Sequence, residues 1–184
     1  MYYVMTCEGI SPRTTIGDSP DVPGSPWNDG QPLIEEPEEP LIYTLDPDYP
    51  GNMLPLYDIA EPLMRADLLN ALHEAGVDNL QTYQAIIRDP ATNREFTDYK
   101  AVNIVGVISA ADMEKSSVMN VSDSQMIDVA FDNLVLDESR IGGSLMFRLG
   151  EAVNAIVVHE RIKRVIKERQ IPGMMFYESG EWSG

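Results

Sequence analysis

Proline sets the first constraint on this chain. Nine of its thirteen prolines lie between Pro12 and Pro50. Each removes a backbone donor and clashes with the preceding helical turn, so no helix of ordinary length fits that stretch. The same stretch is acidic: residues 1–50 hold ten Asp and Glu against one cation, Arg13. It contains Asp18-Ser19-Pro20-Asp21 and Glu35-Glu36-Pro37-Glu38-Glu39-Pro40. Little apolar surface and much like charge oppose tight packing. Residues 1–40 are therefore expected to form an irregular, acidic, Pro-rich N-terminal segment with one short strand, structureless over residues 8–40. A segment of that length either wraps the domain or meets a partner.

Regular patterning begins at residue 41, and residues 41–184 are read as a single α+β domain. Leu41–Leu45 reads as a strand. Pro62 is expected to open a helix and Gly76 to close it, with Leu68, Leu72 and Ala75 on one apolar stripe. Tyr83–Arg88 reads as a strand, and Asp89-Pro90-Ala91-Thr92-Asn93 as a turn. The β-branched run Tyr99–Ile108 is expected to be one central strand buried on both faces. Ala110–Ser116 predicts a helical turn, Met126–Leu136 an extended segment, and Ala152–Val158 a further strand. A second helix is expected from about Glu160 to Gln170, apolar at Ile162, Val165 and Ile166 and basic at Arg161, Lys163, Arg164 and Lys167. Pro172-Gly173 should end it, ahead of a last strand at Met174–Tyr177. Strands outnumber helices without strict alternation, which predicts α+β architecture with a mostly antiparallel or mixed sheet and two main helices. The expected core includes Leu68, Leu72, Ile104, Val105, Ile108, Phe131, Ile156, Val165 and Phe176.

Charge excludes some functions. Over 184 residues, 30 acidic side chains face 13 basic ones, a net charge of −17. Phosphate backbones and anionic membranes both need cationic surface, so neither nucleic acid nor membrane is an expected ligand. No apolar stretch reaches the length of a spanning helix. The N-terminus lacks the basic and apolar regions of a signal peptide, and Cys7 is the only cysteine, so a cytoplasmic protein without disulfides is expected.

A search for chemistry finds little. His73 and His159 are the only histidines and form no local metal or catalytic motif. His73 reads as structural, and His159 falls at the N-cap of the second helix, an unusual residue for that slot. Cys7 has no basic neighbour to lower its pKa. Gly142-Gly143 lacks the lysine and spacing of a phosphate loop. The glutamates at 35, 36, 38 and 39 match no calcium loop. No cofactor, no metal and no catalytic residue is expected. A site assembled from scattered residues would draw on His159, Arg140 and Arg148 with Asp112 or Asp137. Trp27 and Trp182 lie in polar surroundings and either dock on the core or contact a partner.

Three blocks of sequence carry a resemblance. The first runs from Tyr99 to Ser116 through Val102-Asn103-Ile104-Val105-Gly106-Val107-Ile108-Ser109-Ala110-Ala111-Asp112. The second is Leu134-Val135-Leu136-Asp137-Glu138-Ser139-Arg140-Ile141-Gly142-Gly143-Ser144-Leu145-Met146-Phe147-Arg148-Leu149. The third is Ala155-Ile156-Val157-Val158-His159-Glu160-Arg161-Ile162-Lys163, followed by Ile171-Pro172-Gly173-Met174-Met175-Phe176. Together, over about residues 53–178, they resemble immunity protein family eleven of bacterial polymorphic-toxin systems, named for a myxobacterial member. The resemblance implies a protein that binds a cognate toxin and neutralises it by occlusion, and is not an enzyme. Acidity would suit a basic toxin such as a nuclease. The expected partner-binding residues are Trp27, Glu35, Glu36, Glu38 and Glu39. The alternatives are a small enzyme with a site outside known motifs, or an adaptor of a secretion system.

Overall fold

The computed structural model describes residues 1–22, 27, 29–119 and 129–184. In chain order its elements are β1 (Tyr2–Cys7), β2 (Ile16–Asp18), β3 (Leu41–Leu45), β4 (Leu56–Tyr57), β5 (Leu63–Arg65), α1 (Ala66–Glu74), β6 (Leu80–Asp89), β7 (Arg94–Ile104), β8 (Val107–Ile108), β9 (Ser117–Val118) and β10 (Phe131–Asn133). A 3-10 turn (Glu138–Arg140), β11 (Met146–Leu149), β12 (Ala152–His159), α2 (Glu160–Glu168) and β13 (Met174–Glu178) complete the described residues. The architecture is α+β, with strands in mixed sheets and two helices.

A six-stranded sheet has the order β2-β3-β6-β7-β5-β4, and a five-stranded sheet the order β13-β1-β12-β11-β8. Pairing is antiparallel except between β3 and β6 and between β8 and β11. Alternation along β1 and β12 explains how the second sheet is buried on both sides. Tyr3, Met5, Cys7, Ile156 and Val158 face the larger core, shared with the six-stranded sheet and both helices. Tyr2, Val4, Ala155 and Val157 face a second core closed by Phe131, Leu134, Phe147 and Trp182. Helix α1 packs on β5, β7 and α2, and α2 also packs on β12.

The N-terminal segment departs from expectation. β1 lies between β12 and β13, and β2 pairs with β3. The segment thus holds two strands rather than one, and the boundary expected at residue 40 does not divide the fold. The physical reason is tertiary pairing: Ile16 and Asp18 pair with Leu45 and Thr44 of β3, and Tyr2 to Met5 pair with Ile156 to His159, near the other end of the chain. Only tertiary pairing reveals such an arrangement.

Three further expectations are corrected. The run Tyr99–Ile108 is not one strand. β7 ends at Ile104, Gly106 turns the chain at φ 128°, and β8 enters the other sheet beside β11. Val105 and Ile108 at this joint are half-buried, as is Phe176, whereas the other expected core residues are buried. Helix α1 begins at Ala66 rather than beside Pro62, because Leu63, Met64 and Arg65 pair with Tyr99, Lys100 and Ala101 of β7. Of the extended segment expected at 126–136, residues 126–128 lie outside the described residues, and β10 occupies Phe131–Asn133.

Both helices close with a left-handed residue that returns two carbonyls to hydrogen bonding. At α1, Gly76 (φ 92°) donates its N–H to His73 O, and Val77 donates to Leu72 O. At α2 the same role falls to Gln170 (φ 53°), with Gln170 donating to Lys167 O and Ile171 to Ile166 O. The helix therefore stops before Pro172-Gly173. A side chain in this conformation costs roughly 1–2 kcal/mol, part of which glycine would return as unfolded-state entropy. Gln170→Gly is expected to raise stability by about 0.5–1 kcal/mol, read as a higher midpoint in urea at unchanged slope.

Candidate partner-binding surface

The acidic segment lies along the body through a series of isolated ties. Trp27 is 3% exposed and meets the edge of the Tyr83 ring, with centroids 5.4 Å apart. Gly30 passes so close to Gly106 and Val107 that a Cβ would collide with both, and its carbonyl accepts from Gly106 N (2.8 Å). Asn103 Nδ2 donates to Gln31 O (2.8 Å) and to Gln81 Oε1 (2.9 Å), and that same Oε1 accepts from Leu33 N (2.8 Å). Leu33 and Pro37 are buried, and the Glu39 carboxylate accepts from Gln84 N. From Glu39 the chain runs directly into β3, whose parallel register with β6 begins at Leu41 opposite Ala85.

These ties hold residues 33–39 in place with their free side chains outward. Ile34 is 98% exposed, and Glu35, Glu36, Glu38 and Glu39 are exposed with it. A groove of about 470 Å3 beside them is lined by Pro20, Asp21, Pro37, Glu38, Glu39 and Pro40. Negative charge is felt by the neighbouring phenol: burial first, then Glu36 and Glu39, push the pKa of Tyr83 up. The surface thus joins one large apolar side chain to concentrated carboxylates on a pinned backbone.

Four of the five residues expected to bind a partner are brought together here. Trp27 is the exception and is corrected: it belongs to the core. Its indole is spent on holding the segment against β6, because aromatic burial is worth more than exposure in water. Trp182 is likewise buried, in the second core. Ile34 was missed, though Leu33-Ile34 is an apolar pair inside an acidic run; at a bend in the chain Leu33 is buried and Ile34 is exposed.

The residues that a scattered active site would draw on make local contacts. His159 caps α2, its Nδ1 accepting from Arg161 N (3.2 Å), and its ring meets the Tyr2 ring edge-on. Arg148 is buried within β11, where Nη1 donates to Val153 O (2.7 Å). Asp112 pairs with Lys115 (2.6 Å) and Asp137 with Arg140 (3.0 Å). Hydrogen bonds from Lys115 and Ser139 hold these two carboxyls below the usual range. Such exposed pairs are common on protein surfaces. Among the described residues no group of His, Cys, Asp and Glu is arranged to hold a metal ion. No helix among them is long and apolar enough to cross a membrane.

In comparison with known proteins, the chain matches no protein-family model and no curated sequence.

Proposed function

We propose that this chain is an immunity protein, a cytoplasmic binder that neutralises a cognate bacterial toxin by covering its working surface. The observation that carries the reading is the loop 33–39, where Ile34 stands out among four glutamates on a backbone tied to β6. An exposed aliphatic anchor ringed by like charge suits a partner with an apolar pocket in a basic surface. A nuclease, whose cleft must be cationic to hold its substrate, has that character. Because the loop is already held, binding need not bear the cost of ordering it. No chemistry is required of the chain itself, in keeping with the resemblance to immunity protein family eleven.

The test is rescue. Co-expression of this chain with the toxin encoded beside it is expected to restore growth to cells the toxin alone kills. Failure to restore growth, with both proteins confirmed in the soluble fraction, overturns the proposal.

A further inference from the structure

We infer that the outward face of α2 is a second docking surface, one that receives an acidic segment of a partner protein. The inference does not rest on the toxin-binding role of loop 33–39.

It begins with an imbalance. Carboxylates outnumber cations by 30 to 13, so a cluster of cations without carboxylates stands out on this chain. Arg65, Arg88, Lys115, Arg140 and Arg169 each take one. Among the described residues, eight cations form no ion pair: Arg13, Arg94, Lys100 and Arg148 lie apart on other segments, whereas Arg161, Lys163, Arg164 and Lys167 are gathered on α2. Their orientation is fixed from beneath, since Ile162, Val165 and Ile166 are buried in the larger core. Lys163 Nζ sits 3.5 Å over the Tyr3 ring, and Arg161, Arg164 and Lys167 are exposed.

Cations three and four residues apart on a helix repel one another, at a cost of a few tenths of a kcal/mol per pair. Arg161 and Arg164, Arg164 and Lys167, and Lys163 and Lys167 all stand in that relation. The free protein therefore carries a clustering of charge that a complementary surface would relieve. The same residues border a groove of about 550 Å3 floored by Tyr3 and His159.

The shape of the charge selects the partner. Glu160 and Glu168 also line the groove and bracket the four cations, so this cationic surface is confined to one nine-residue helix, roughly 14 Å long. A duplex presents one phosphate charge per roughly 1.7 Å and would run on past the groove onto a protein that carries −17 overall. A short run of Asp and Glu meets the four cations and ends where they end.

The test measures fluorescence anisotropy of a fluorescein-labelled oligoglutamate peptide with the full chain. Saturable binding is expected at low salt, weakening as salt rises. Arg164→Glu with Lys167→Glu should weaken it by about tenfold or more, Arg164→Gln with Lys167→Gln by less, and Arg164→Lys with Lys167→Arg should leave it unchanged. The glutamine pair supplies the comparison should the reversed pair fail to fold. The inference is overturned if the peptide does not bind, if it binds the glutamine pair as tightly as the wild type, or if an oligothymidylate of equal charge binds more tightly than the peptide.

Discussion

Ile104→Asp is expected to abolish the cooperative unfolding transition. Ile104 is fully buried at the end of β7, opposite Leu80 of β6, and belongs to the core that joins both sheets to both helices. A carboxylate there must lose its hydration or take up a proton, and either costs several kcal/mol. Domains of this size are stable by only about 5–15 kcal/mol. Val105→Asp, one residue on, is the informative control. Val105 is half-buried at the joint before Gly106, so its carboxylate reaches water and the loss should be about 1–2 kcal/mol. Urea titrations followed by circular dichroism check both. An Ile104→Asp protein with the wild-type midpoint would remove β7 from the centre of the fold.

That contrast also shows what the sequence made legible. Leu41–Leu45, the turn at 89–93 and the helix capped by His159 rest on local patterns, and local patterns place them correctly. The break at Gly106 does not show, because apolar β-branched residues continue on both sides of it and only the backbone angle marks the change of sheet. Pro62 has the chemistry of a helix start, yet hydrogen bonding to β7 draws the next three residues into β5. The acidic segment misleads in another way. Composition reads as freedom, whereas Trp27, Gly30, Leu33 and Pro37 tie it down at points that follow no period. The glutamates of the candidate site were legible as a cluster. The fixed frame behind them, and the exposure of Ile34, required the tertiary structure.

The second large effect concerns that frame. If loop 33–39 holds the toxin, Ile34→Arg should raise Kd by about ten- to a hundredfold. Burial of an isoleucine side chain contributes roughly 1.5–3 kcal/mol, and an arginine would in addition face a basic partner. The change should fall mainly on dissociation. Changing Glu35, Glu36, Glu38 and Glu39 together to glutamine should act on association instead, slowing it by about tenfold at low salt, with the difference shrinking as salt rises. Ile34 and the four glutamates are exposed, and glutamine at 39 keeps a side-chain oxygen that can accept from Gln84 N, so neither variant should shift the thermal transition appreciably. Wild-type rates for both variants, at low and high salt alike, would exclude the loop from the contact.

Occlusion differs from catalysis in its stoichiometry. A fixed amount of the purified toxin, titrated with this chain, should lose activity linearly and reach zero at one equivalent. The protein carrying Ile34→Arg and all four glutamate-to-glutamine changes should require a large excess. Complete inactivation by a small fraction of an equivalent, equally by the wild type and by the loop variant, would contradict occlusion through this surface and identify the chain as an enzyme that modifies the toxin.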